Sequence, residues 1–69
     1  MELCGFENLA GTKKFDFPVK QLRYAVIEKQ KDREGVVTER FFVKALGFKD
    51  RIEVSVETHK VVIDALLEI

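Results

Sequence analysis

Two side chains in this sequence belong to the types that carry nucleophilic or proton-transfer chemistry near neutral pH, His59 and Cys4. An imidazole acts as a general base or pH switch when a second group orients it beside a substrate pocket. The sequence neighbours of His59 are Thr58 and Lys60, which supply neither, so an exposed position in the first turn of a helix is expected. Cys4 would be nucleophilic if a cation or a helix start lowered its pKa. Its surroundings are Glu2, Leu3, Gly5 and Phe6, and a small buried apolar residue is the expectation. Twelve carboxylates leave room for an acid–base pair, but Glu28, Glu39, Glu53 and Glu57 find cationic partners in the strand registers below. Gly47-Phe48-Lys49 lacks the long glycine-rich run into a helix that cradles phosphate. Lys13-Lys14 is too short for a nucleic-acid patch. No catalytic residue, no cofactor and no metal site is implied.

The elements that could position a binding surface follow from the bulk properties. A chain of 69 residues forms one domain, and one this small is marginally stable unless a disulfide, a metal or a partner subunit helps. A single cysteine excludes an intramolecular disulfide and suits a reducing, cytoplasmic setting, as does an N-terminus without the marks of a secretion signal. Hydrophobic residues make up 46%, six of them Phe, which is enough for a core. Formal net charge is zero, which removes the electrostatic argument for nucleic acid and eases self-association. No apolar run approaches the ~18–20 residues of a membrane span.

The clearest pattern lies between Leu22 and Thr58. Gly35 suits the left-handed position that ends a type I turn with a bulge. With Asp32 facing Val36, Ile27 faces Phe41, Val26 faces Phe42, Ala25 faces Val43 and Leu22 faces Leu46, while Glu28 meets Arg40 and Lys29 meets Glu39. Such cross-strand pairs contribute roughly 0.2–1 kcal/mol each. A second turn at Gly47–Asp50 sets Ala45 against Ile52, Val43 against Val54 and Phe41 against Val56, with Lys44 facing Glu53 and Arg40 facing Glu57. Both registers place Ala25, Ile27, Phe41, Val43, Ala45, Ile52, Val54 and Val56 on a core face. Tyr24, Glu28, Arg40, Lys44, Glu53, Ser55 and Glu57 fall on a wet face.

The C-terminal segment is the cover expected for the core. Thr58 can cap a helix over His59–Ile69, in which Val62, Ala65, Leu66 and Ile69 fall at helical spacing. The β-branched run Val61-Val62-Ile63 keeps a fourth strand open as the alternative. Upstream, Phe15, Phe17 and Val19 alternate as a short strand that Pro18 confines to an edge. The rival is a helix from about Phe17 to Lys31 capped by Asp16, against which Arg23 spoils the apolar stripe. Residues 1–14 form a strand, a short helix or an ordered arm. The expected fold is therefore α+β: a small three-stranded antiparallel meander over residues 15–58, with room for an additional N-terminal strand, packed against a helix over 59–69.

One feature exceeds this background. Leu22, Tyr24, Val26, Phe42 and Leu46 fall together on the wet face, beside Arg40 and Lys44. An apolar patch there needs a cover. Three covers fit: the N-terminal arm through Phe6, Leu9, Phe15 or Phe17; a protein partner or a second copy of the chain; or single-stranded nucleic acid stacked on Tyr24 and Phe42, with Arg40 and Lys44 at the phosphates. The outer strands Leu22–Gln30 and Arg51–Glu57 are also open edges unless covered. The expected function is a non-enzymatic protein-interaction module, a regulator or inhibitor, acting through that face or a strand edge and able to form a homo-oligomer. Nucleic-acid binding is the alternative.

Overall fold

The computed structural model describes residues 3–68, in the order β1 (Leu3–Glu7), β2 (Lys14–Pro18), a short 3-10 turn (Val19–Gln21), β3 (Leu22–Lys31), β4 (Val37–Ala45), β5 (Ile52–Val54) and α1 (Val56–Leu67). Strands β1 and β2 form a two-stranded sheet of their own, and β3-β4-β5 form an antiparallel meander.

Asp32 fixes the meander's first hairpin. Its carboxylate accepts from the N–H groups of Glu34 and Val36, both at 2.9 Å, and its own N–H donates to the Val36 carbonyl. Gly35 closes the turn at φ 86°, a conformation that glycine alone adopts without strain. The register that follows is the expected one from Ala25–Val43 through Lys29–Glu39. It breaks at the base, where an irregularity between Leu22 and Tyr24 sets Leu22 against Ala45 rather than Leu46. Arg23 is the extra residue of this bulge, and inserting one residue reverses the face of everything before it. Leu22 therefore turns into the core instead of onto the wet face.

The second hairpin differs by a slip of two residues. Val43 faces Ile52 rather than Val54, and Phe41 faces Val54 rather than Val56. The Lys44 ammonium donates to the carbonyls of Phe48 and Lys49, bracing a loop wider than a tight turn. The expected charge pairs Lys44–Glu53 and Arg40–Glu57 are replaced by Arg40–Glu53 and Glu28–Arg51. A two-residue slip preserves side-chain parity, so Ile52 and Val54 still face the core.

Strand β5 ends at Val54 because Ser55 caps the helix: its hydroxyl accepts from the Thr58 N–H at 3.3 Å. The helix thus starts before Thr58, and Val56 leaves the expected strand for an exposed helical position. Val62 and His59 form the buried stripe, with Ala65 and Leu66 packed against the core. Ile69, expected on that stripe, lies outside the described residues, as do Met1 and Glu2 of the N-terminal segment.

The N-terminal segment is a hairpin, pairing Cys4 with Phe17 and Phe6 with Phe15. The Asn8 side-chain oxygen accepts from the Thr12 and Lys13 N–H groups and shapes its loop. Cys4, Phe6 and Phe17 join Leu22, Val43, Ala45, Ile52, Val54 and Val62 in one core. Hairpin and helix thus share the same face of the meander, and among the described residues the N-terminal segment packs its Cys4, Phe6, Phe15 and Phe17 on the core side rather than over the wet face. The β3–β4 ribbon runs past both, giving a molecule of 47 × 26 × 21 Å. Ile27, expected in the core, sits on this overhang and is 47% exposed.

Candidate interaction surface

The seven residues assigned to a recognition face do not form one open patch. Tyr24, Val26 and Phe42 share the wet face, as their register requires. Leu22 is buried on the other side, and Leu46 is exposed where the chain leaves β4. Phe42, which was to be the stacking platform, is only 7% exposed. The Arg51 guanidinium lies 4.3 Å from its ring centroid and that of Arg40 5.3 Å, so two cations cover the aromatic face.

Carboxylates hold these cations in place. Arg40 donates from Nε to Glu53 Oε2 at 3.0 Å and from Nη2 to Glu53 Oε1 at 2.8 Å. Arg51 pairs with Glu28. The paired hydrogen bonds from Arg40 hold the Glu53 carboxyl below its ordinary range, and the same bonds raise the Arg40 guanidinium. Phe42 is thus roofed by an ion-pair lattice belonging to its own sheet. Arg51 was absent from the expected site because the assumed register carried it away from Phe42; its place becomes legible once β5 is slid by two residues.

Both reactive side chains are buried. His59 is buried rather than exposed, with its ring 5.0 Å from that of Phe41 and its Nε2 without a hydrogen-bond partner among the described residues. His59 lies one turn before Val62 and so falls on the buried stripe of α1. Cys4 is buried as expected, and desolvation pushes its thiol pKa up, away from the reactive thiolate. Among the described residues, no group of three or more His, Cys, Asp and Glu could hold a metal ion. An open groove of about 590 Å³ lies beside the β1–β2 loop. It mixes Lys13, Lys49 and Arg51 with Asp50 and Glu53, so it offers no single charge to a ligand. No described helix is long and apolar enough to cross a membrane.

The strand edges are unequal. Leu9 donates its N–H to the Glu53 carbonyl at 2.7 Å, so the β1–β2 loop caps β5. Strand β3 is the other margin of the sheet, with no strand beyond it among the described residues. Its open groups follow from the turn. Asp32 bonds inward to Val36, and antiparallel pairs alternate, so Gln30, Glu28, Val26 and Tyr24 also bond inward to β4. Ala25, Ile27, Lys29 and Lys31 therefore turn their N–H and C=O groups away from the sheet. Strand β5 pairs only with Phe41–Val43, leaving the outer half of the ribbon two-stranded. Ile27, Val36 and Val37 are exposed there.

No protein-family model, curated protein or solved structure matches this chain.

Proposed function

We propose that this protein is a non-enzymatic protein-interaction module that takes an extended segment of a partner as an added strand on the free edge of β3, regulating or inhibiting the partner by occupying that segment. The observation that carries this is the row of outward backbone groups at Ala25, Ile27, Lys29 and Lys31, fixed by the inward Asp32–Val36 bond. Strand addition draws affinity from main-chain hydrogen bonds and needs no pocket. It would also complete a ribbon whose outer half has two strands, an arrangement of marginal stability in water. Nucleic-acid binding draws no such support, because Arg40 and Lys44 are engaged within the chain.

A proline scan tests the idea. Ile27→Pro removes one outward N–H and leaves the β3–β4 ladder whole, as proline on an edge strand allows. Partners captured by the wild-type protein from its native host, identified by mass spectrometry, are lost with Ile27→Pro and kept with Tyr24→Ala. If every partner survives Ile27→Pro while Tyr24→Ala releases them, the binding surface is the wet face and the proposal is wrong. Mass in solution distinguishes a second copy from another partner: only a wild-type dimer that Ile27→Pro converts to a monomer would make the occupant a second copy.

A further inference from the structure

We infer that the segment accepted by β3 is acidic, with carboxylates at alternate positions opposite Lys29 and Lys31. This rests on strand addition at β3 and names the chemistry of the occupant. Lys29 and Lys31 stand on the same side of the overhang as exposed Ile27. Among the described residues neither makes an ion pair, although Glu39 faces Lys29 in the register. Arg23, in the bulge, adds a third exposed cation along the strand. The one carboxylate of β3, Glu28, is already paired with Arg51.

Lysine on an open edge discourages a strand of like charge. The same rule argues against a second copy. By counting, antiparallel self-pairing centred on Val26 sets Arg23 against Lys29, and pairing centred on Ile27 sets Arg23 against Lys31. Centring on Glu28 or Lys29 sets that residue against its own copy. Each of these four registers opposes like charges, which destabilises a strand pair, and pairing centred on Ala25 avoids this only by leaving Lys29 and Lys31 beyond the paired segment. An acidic strand turns the same positions into attractive pairs, while an apolar residue opposite Ile27 covers its exposed side chain.

The probes are two capped peptides, Glu-Thr-Glu-Thr-Val-Thr-Val and its counterpart with both Glu replaced by Lys. Laid antiparallel, their first and third residues face Lys31 and Lys29, and their fifth faces Ile27. NMR titration of the full chain, up to the solubility limit of each peptide, reads weak binding and its location together. The acidic peptide binds about tenfold more tightly than the lysine peptide at low ionic strength, and the margin shrinks as salt rises. Binding slows hydrogen exchange at the Ile27 and Lys29 amides. The double variant Lys29→Glu, Lys31→Glu, which alters only exposed side chains, reverses the order of the two peptides. Equal affinity for both, or no reversal in the double variant, overturns the acidic preference while leaving strand addition standing. If neither peptide binds, or binding leaves the Ile27 and Lys29 amides unprotected, strand addition at β3 fails and the inference with it.

Discussion

Arg40 reaches across the wet face to Glu53 and joins it through two hydrogen bonds, with the ring of Phe42 beneath the guanidinium. The pair is partly open to solvent, so its contribution is screened and modest. Its sign is definite. The native Glu53 carboxyl is held below its ordinary range, chiefly by hydrogen bonding to Arg40. The unfolded chain therefore binds the proton more readily. The stabilisation is complete above the ordinary carboxylate pKa and disappears as pH falls through the lowered native value. Glu53→Gln is thus less stable than wild type near neutral pH, and the difference closes in acid. Denaturant unfolding at both pH values measures it, and Arg40→Gln with Glu53→Gln forms a double-mutant cycle whose coupling also vanishes in acid. A deficit that stays constant with pH would mean that this pair does not carry the effect.

Leu22 and Leu46 separate the bulged register from the regular one. Without the bulge they face each other on the wet side and should respond alike to truncation. With it, Leu22 packs beside Ala45 in the core at 5% exposure, while Leu46 is 53% exposed. Leu22→Ala is expected to cost about 2–4 kcal/mol, and Leu46→Ala to fall within about 0.5 kcal/mol of wild type. Similar losses from both, read from denaturant midpoints at constant slope, would contradict the bulge.

These two leucines also show why only part of the fold is legible in the sequence. The Asp32–Gly35 turn dictates one register because a left-handed glycine and a capping carboxylate must occupy fixed positions. The second hairpin has no such anchor. Sliding β5 by two residues keeps every side chain on its face, so alternation could not choose. Pairing of directly opposite charges favoured the wrong register, because Arg40–Glu53 and Glu28–Arg51 do not join directly opposite residues of β4 and β5. Leu22 joined the apolar patch only by carrying strict alternation back through Arg23, and a leucine left on the wet face was the available hint of an extra residue. Ser55 and Thr58 lie one helical turn apart and both suit an N-cap; running β5 on to Glu57 selected the wrong one. The open edge at β3 was legible because it needs only the order of the strands. The cover over Phe42 was not, since it depends on long side chains brought together by the slipped register.

Cys4 offers a probe of the N-terminal hairpin's docking onto the meander. The residue is 6% exposed within the core shared by Phe6, Phe17 and Val62, and burial pushes its thiol pKa up. A thiol reagent therefore meets little thiolate and has no route to it until the hairpin lifts. Labelling of the native protein should be slow and should accelerate in denaturant concentrations too low to unfold β3–β4. Phe17→Ala, which removes the aromatic residue facing Cys4 across the hairpin, should raise the native labelling rate by at least ~10-fold, since such truncations cost about 3–5 kcal/mol when fully expressed. Leu46→Ala should leave the rate unchanged. The measurement is a labelling time course by intact mass. A wild-type rate equal to that of a free cysteine peptide would show that the hairpin does not seal the core.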